Sequence, residues 1–97
     1  MADDEDNKRT YRRETVRVKA RLLVNDQWLD CIITNISTVG ARLFLRKSVT
    51  TDRMVRIQIA DFGEYHAMVI WCESDETGLR FEHTPEEMVG LVSSLAS

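Results

Sequence analysis

Residues 15–24 read Thr-Val-Arg-Val-Lys-Ala-Arg-Leu-Leu-Val, and the order of these ten decides the fold class. Val16, Val18, Ala20, Leu22 and Val24 occupy alternate positions, with Arg17, Lys19 and Arg21 between them. A period of two puts the apolar set on one face and the basic set on the other, which predicts a half-buried β-strand. Asn25-Asp26-Gln27 then supplies turn chemistry, and Trp28, Leu29, Cys31, Ile32 and Ile33 read as the returning strand of a hairpin.

The same pattern continues outward from that hairpin. After a segment from Asn35 to Gly40, Ala41, Leu43 and Leu45 alternate with Arg42, Phe44 and Arg46. Arg53 to Ala60 repeats the pattern through Val55, Ile57 and Ile59. Asp61-Phe62-Gly63 makes a turn into Tyr65, Ala67, Val69 and Trp71. A last short strand carries Leu79 and Phe81 after the turn residues Asp75 to Gly78. The reading is all-β, with about six short strands and no βαβ crossover; such strands close into a barrel or a sandwich, which removes exposed edges.

The chain ends differently. Thr84-Pro85-Glu86-Glu87 combines an N-cap threonine, proline at the first helical position and glutamate three residues after the cap, predicting a helix over about 85–96. Met88, Leu91, Val92 and Leu95 fall at helical spacing and give it one apolar stripe, expected to cover its own barrel. Gly90 weakens the helix by about 1 kcal/mol relative to alanine, so packing must hold it.

With 97 residues, 43% of them hydrophobic, the chain suits one domain, expected over 11–97. Residues 1–10 are polar and lack periodicity, which reads as a disordered tail. The net charge of −3 does not suit a general nucleic-acid binder. Its distribution is uneven: seven of the 13 basic residues lie between Lys8 and Arg21, just after the acidic run Asp3 to Asp6. Cys31 and Cys72 form no CxxC pair and read as buried thiols rather than a zinc or redox site. An N-terminus without a signal-peptide pattern, and no apolar run near the ~20 residues a span requires, point to the cytoplasm. There the sequon Asn35-Ile36-Ser37 is not glycosylated.

Catalytic motifs are missing from the sequence: it holds no nucleophile elbow, zinc helix, phosphate-binding loop or dinucleotide fingerprint, so no enzyme, metal or cofactor is expected. His66 and His83 read as surface or half-buried side chains, and Glu86 and Glu87 as charges suited to a helix N-terminus. Two segments remain, Arg12-Arg13-Glu14-Thr15-Val16-Arg17 at the entrance to the first strand and Asn35-Ile36-Ser37-Thr38-Val39-Gly40 after the second. In a hairpin the start of one strand lies beside the end of the other, so Arg13 and Arg17 approach Asn35 and Ser37. These groups suit an anionic guanine nucleotide. Arginine forks pair with O6 and N7 of guanine or with phosphate, and Asn35 offers a donor and an acceptor. Ser37 offers a hydroxyl, while Gly40 permits a positive φ and close backbone approach.

At these residues the chain resembles the PilZ domain family, whose two motifs are R-x-x-x-R and [D/N]-x-S-x-x-G. Arg13 and Arg17 match the first, and Asn35, Ser37 and Gly40 the second. Met68-Val69-Ile70-Trp71 followed by Gly78-Leu79-Arg80-Phe81 is similar to the family's late strand pair. The resemblance implies a six-stranded antiparallel Greek-key barrel with a C-terminal helix and a flexible N-terminal arm. It implies a receptor for cyclic di-GMP that acts in trans on an effector protein in motility or exopolysaccharide control. Arg12, just before the first motif, implies an intercalated ligand dimer. A further expectation is that residues Lys8 to Arg13 are mobile without ligand and close over it. Trp28 and Trp71 read as core or rim aromatics. Two rival readings are a single-strand nucleic-acid-binding barrel and an adaptor indifferent to nucleotides; the first lacks interleaved aromatics and net positive charge.

Overall fold

Strands whose apolar residues lie on one face must bury that face together, and here they do so by closing on themselves. The computed structural model describes residues 13–96. β1 (Glu14–Val24) and β2 (Gln27–Ile36) form the expected hairpin, with Val24 paired to Gln27. The two-residue loop between them has positive φ at both positions, 52° at Asn25 and 64° at Asp26, as in the turn whose twist matches antiparallel strands. β3 (Gly40–Phe44), β4 (Met54–Ile59), β5 (Glu64–Glu73) and β6 (Glu76–Phe81) follow, with a 3₁₀ turn over Ala60–Phe62 and a helix α1 at Pro85–Ala96.

The spatial order is β1-β2-β3-β6-β5-β4, and β4 pairs back onto β1 from Ala20 opposite Ile59 to Leu23 opposite Arg56. Every pair is antiparallel. Two three-strand meanders are joined where the chain crosses from β3 to β4, giving the Greek-key barrel without an open edge.

The inward positions fill the interior. Leu22, Ile33, Leu43, Ile57, Val69 and Leu79 are all essentially inaccessible. α1 packs against β1 and buries Met88, Leu91 and Val92, so its stripe covers its own barrel. The capping box forms as expected: Thr84 N–H donates to Glu87 Oε1 at 2.8 Å, and Glu87 N–H to Thr84 Oγ1 at 3.3 Å. The expected tail over residues 1–10, and the expected arm from Lys8 to Arg13 except for Arg13 itself, lie outside the described residues, as does Arg12.

One strand departs from simple alternation. β5 carries an irregularity between Val69 and Trp71, which pairs Val69 with Leu79 but Trp71 with Gly78. The extra residue, Ile70, lets Trp71 leave the inward series of Ala67 and Val69 and lie on the outer wall.

Candidate functional site

The hairpin register builds the site. Thr15 pairs with Asn35, which puts Arg13 just beyond the end of β2, and its Nη1 donates to Asn35 Oδ1 at 2.7 Å. The two sequence motifs are therefore joined by a direct hydrogen bond between residues 22 apart in the chain. Arginine carries five N–H donors, so this bond leaves most of the Arg13 fork open to a ligand.

Two irregularities meet at Thr34. Val16 and Arg17 together face it from β1, because the register passes from Thr15–Asn35 to Val18–Ile33. On the other side β3 skips it, passing from Ile33–Leu43 to Asn35–Arg42. Thr34 Oγ1 donates to the Arg42 carbonyl at 3.3 Å across that gap. Bulges bend a strand and re-aim its side chains. Arg17 lies in the first of them, exposed and without a hydrogen-bond partner among the described residues.

Ser37 and Gly40 are placed differently from the open polar groups that their residue types suggested. Ser37 is only 1% exposed. Its Oγ accepts from Val39 N–H at 3.2 Å and Gly40 N–H at 3.3 Å, and its own N–H donates to the Gly40 carbonyl at 2.8 Å. The hydroxyl knits the turn that carries the motif. Gly40 does not use the positive φ that a glycine permits; Gly63 alone among the described glycines does. What requires glycine at position 40 is the neighbouring strand: a Cβ there would come closer than 3.0 Å to the Leu79 carbonyl oxygen of β6. The turn is also tied to that strand by Phe81 N–H donating to the Val39 carbonyl at 2.8 Å.

Across the outer wall the registers line up one row. Thr15 faces Asn35, Asn35 faces Arg42, Arg42 faces Gly78 and Gly78 faces Trp71. A side chain at Gly78 would run into the Trp71 indole, so the ring takes the space beside that glycine, and the Arg42 guanidinium sits 6.0 Å from the ring centre. Arg42 and Trp71 thus extend the Arg13–Asn35 pair into a shelf. In the sequence reading Trp71 is a core or rim aromatic and Arg42 a strand residue alternating with Ala41 and Leu43. The signal that could have found them was the glycine opposite the tryptophan, which leaves room for the ring.

The remaining chemical groups have structural occupations. Cys31 is buried, and burial, with a smaller contribution from Asp30, pushes its thiol from 9.0 up to about 12. Cys72 is also a free thiol. His83 Nε2 accepts from the His66 N–H at 3.0 Å and so links the entry to α1 with β5. No cluster of three or more potential metal ligands occurs among the described residues, and no described helix is long and apolar enough to cross a membrane.

A filled six-stranded antiparallel barrel with arginine, asparagine and tryptophan gathered on its outer wall defines the class: a small β-barrel domain whose polar site is external. The chain belongs to the PilZ domain family, whose model matches residues 7–96. Among solved structures, the Bacillus subtilis inhibitor of motility MotI (DgrA) superposes with a TM-score of 0.68 at 17% identity, over 89% of this chain and 46% of its own. Escherichia coli YcgR in complex with c-di-GMP gives 0.67 at 14%, over 88% of this chain and 44% of its own. The chain thus spans less than half the length of either. An uncharacterised Legionella protein gives 0.61 at 20% identity, over 88% of this chain and 94% of its own. No curated protein matches the sequence.

Proposed function

We propose that this PilZ domain binds cyclic di-GMP on its outer wall and passes the event to a separate effector protein in the cytoplasm. The observation that carries the reading is the 2.7 Å bond from Arg13 to Asn35, which joins the two halves of a nucleotide-reading set. Family membership and the c-di-GMP in the YcgR neighbour support the same ligand.

In this reading Arg13 and Arg17 hold phosphates and guanine Hoogsteen edges, and Asn35 completes the base contact. Arg42 and Trp71 offer a charged and a flat surface beside them. Ser37 and Gly40 act by fixing the turn that holds Asn35 in place. Arg12 admits a second, intercalated nucleotide, and residues Lys8 to Arg13 order over the ligand, with 1–10 as tail and 11–97 as the folded domain. Motility and exopolysaccharide control are the proposed outputs.

Isothermal titration with cyclic di-GMP tests the site, with GTP and the linear dinucleotide as controls. Arg13→Ala should weaken binding by roughly ten- to a hundredfold, the worth of one bidentate arginine contact. Binding unchanged by Arg13→Ala refutes the site. Saturation at one nucleotide per chain refutes the dimer, and hydrogen exchange at Lys8 to Arg13 that ignores the ligand refutes the ordering arm.

A further inference from the structure

A groove of about 770 Å³ crosses the outer wall beside the shelf, and none of Arg13, Arg17, Asn35, Ser37 and Gly40 lines it. Its two largest apolar side chains are the cross-strand pair Ile32 and Phe44, both half-buried. Exposed Lys19, Arg21 and Arg46 stand around that pair, and Gln58 closes the β4 side.

Both arginines are held by neutral groups. Arg21 Nε donates to Gln58 Oε1 at 3.1 Å, and its guanidinium lies 5.1 Å from the centre of the Trp28 ring. The Arg46 guanidinium lies 5.8 Å from the Phe44 ring. Neither these two nor Lys19 forms an ion pair among the described residues. A cation fixed by an amide or a ring keeps its charge available, and it has already given up part of its side-chain entropy. Asp30 and Asp61 also line the groove, leaving three cations against two carboxylates, an excess of positive charge on a chain of net −3.

We propose that this groove docks an extended segment of a partner protein in which one apolar side chain sits between two carboxylates. The apolar side chain rests on Ile32 and Phe44, and the carboxylates meet Arg21 and Arg46. β1 and β3 are two strand spacings apart, about 10 Å, while carboxylates two positions either side of an apolar residue in an extended chain span about 13 Å. Long arginine side chains bridge the difference. The inference rests on the reading of the domain as an adaptor, and it supplies the chemistry of the effector. The groove adjoins the proposed nucleotide site, since Lys19 follows Arg17 by two on β1 and Phe44 follows Arg42 by two on β3.

The test is an amide chemical-shift titration of 15N-labelled protein with the peptide acetyl-Ser-Asp-Ser-Leu-Ser-Asp-Ser-amide, run beside a cyclic di-GMP titration. Saturable shifts are expected at Lys19 to Arg21, Asp30 to Ile32 and Phe44 to Arg46. They should need at least tenfold more peptide in Arg46→Glu, which keeps its cyclic di-GMP binding. Peptides with asparagine for aspartate, or serine for leucine, should bind at least tenfold more weakly. If the peptide shifts appear and cyclic di-GMP produces none anywhere, the nucleotide reading fails and the docking groove stands. The groove proposal is overturned by no saturable shift in those three segments, or by control peptides that bind equally well. Cyclic di-GMP shifting the groove instead of the Arg13–Asn35 row also overturns it, because the groove is then a nucleotide site.

Discussion

Replacing Gly40 with alanine separates a glycine needed by the ligand from one needed by the barrel. A Cβ at position 40 would lie under 3.0 Å from the Leu79 carbonyl oxygen and 3.3 Å from its carbon, so the obstacle is backbone. Nothing flexible can swing aside; β3 and β6 must part by about an ångström to restore ordinary contact near 3.5 Å. That movement loosens the Gly40–Arg80 and Ala41–Leu79 pairings and the Phe81-to-Val39 hydrogen bond. Overpacking of this kind costs about 1–3 kcal/mol, and the strained pairing puts this case near the top. For a domain of this size, about 2–3 kcal/mol lowers Tm by roughly 8–24 °C. Gly90→Ala is the control of opposite sign: nothing lies within 4 Å of a Cβ there, and alanine should stabilise the helix by about 1 kcal/mol. Thermal unfolding followed by circular dichroism, without nucleotide, reads both. A Gly40→Ala protein that melts within about 2 °C of the parent would falsify the steric account.

Ser37→Ala should cost about 1–3 kcal/mol without nucleotide, because it removes the buried acceptor of Val39 N–H and Gly40 N–H; urea unfolding measures it, and an unchanged midpoint rejects the turn-building role. Arg42→Ala should weaken cyclic di-GMP binding by about tenfold while shifting Tm by no more than about 2 °C, since the side chain is exposed; calorimetry beside a melt decides it. Cys31 gives a pH signature. Its folded-state pKa is raised, so its stabilising contribution is complete below pH 9.0 and is lost as pH climbs from there towards about 12. The loss is about 1.4 kcal/mol per pH unit in that window, and a Cys31→Ala protein should lack it when denaturant midpoints are compared from pH 8.5 to 10.5.

Most of the fold was legible because the apolar residues obey one period. Ala20, Leu22, Cys31, Ile33, Ala41, Leu43, Leu45, Val55, Ile57 and Ile59 all lie inside where alternation puts them. The capping box was equally plain, since Thr84 and Glu87 act on each other locally. Trp71 was left between core and rim for the complementary reason: a bulge at Ile70 adds one residue to the count, and a period of two cannot register an insertion that the partner strand defines. The approach of Arg13 to Asn35 followed from hairpin geometry, but the Asn35–Arg42–Gly78–Trp71 row did not, because its registers join strands far apart in the chain. Gly40 and Ser37 show a further limit. Their residue types fit a ligand contact and a tight turn equally well, and only the position of Leu79 and the two accepted N–H bonds distinguish the roles.

The filled interior constrains where this domain can act. Side chains from six strands and α1 occupy the barrel, with Leu22, Ile33, Ile57 and Met88 at 0% exposure, so the interior has no room for a ligand of dinucleotide size, and the proposed site can only be on the wall. A smooth barrel wall is convex and offers little enclosure. The bulges at Val16/Arg17, Thr34 and Ile70 break that smoothness, and they lie along the row that gathers Asn35, Arg42 and Trp71. The irregularities that make the sequence hardest to read are therefore the features that give the wall its relief. A substitution that regularises the ladder there should leave the core intact and still disturb the site, which ties function in this domain to register as much as to the identity of its arginines.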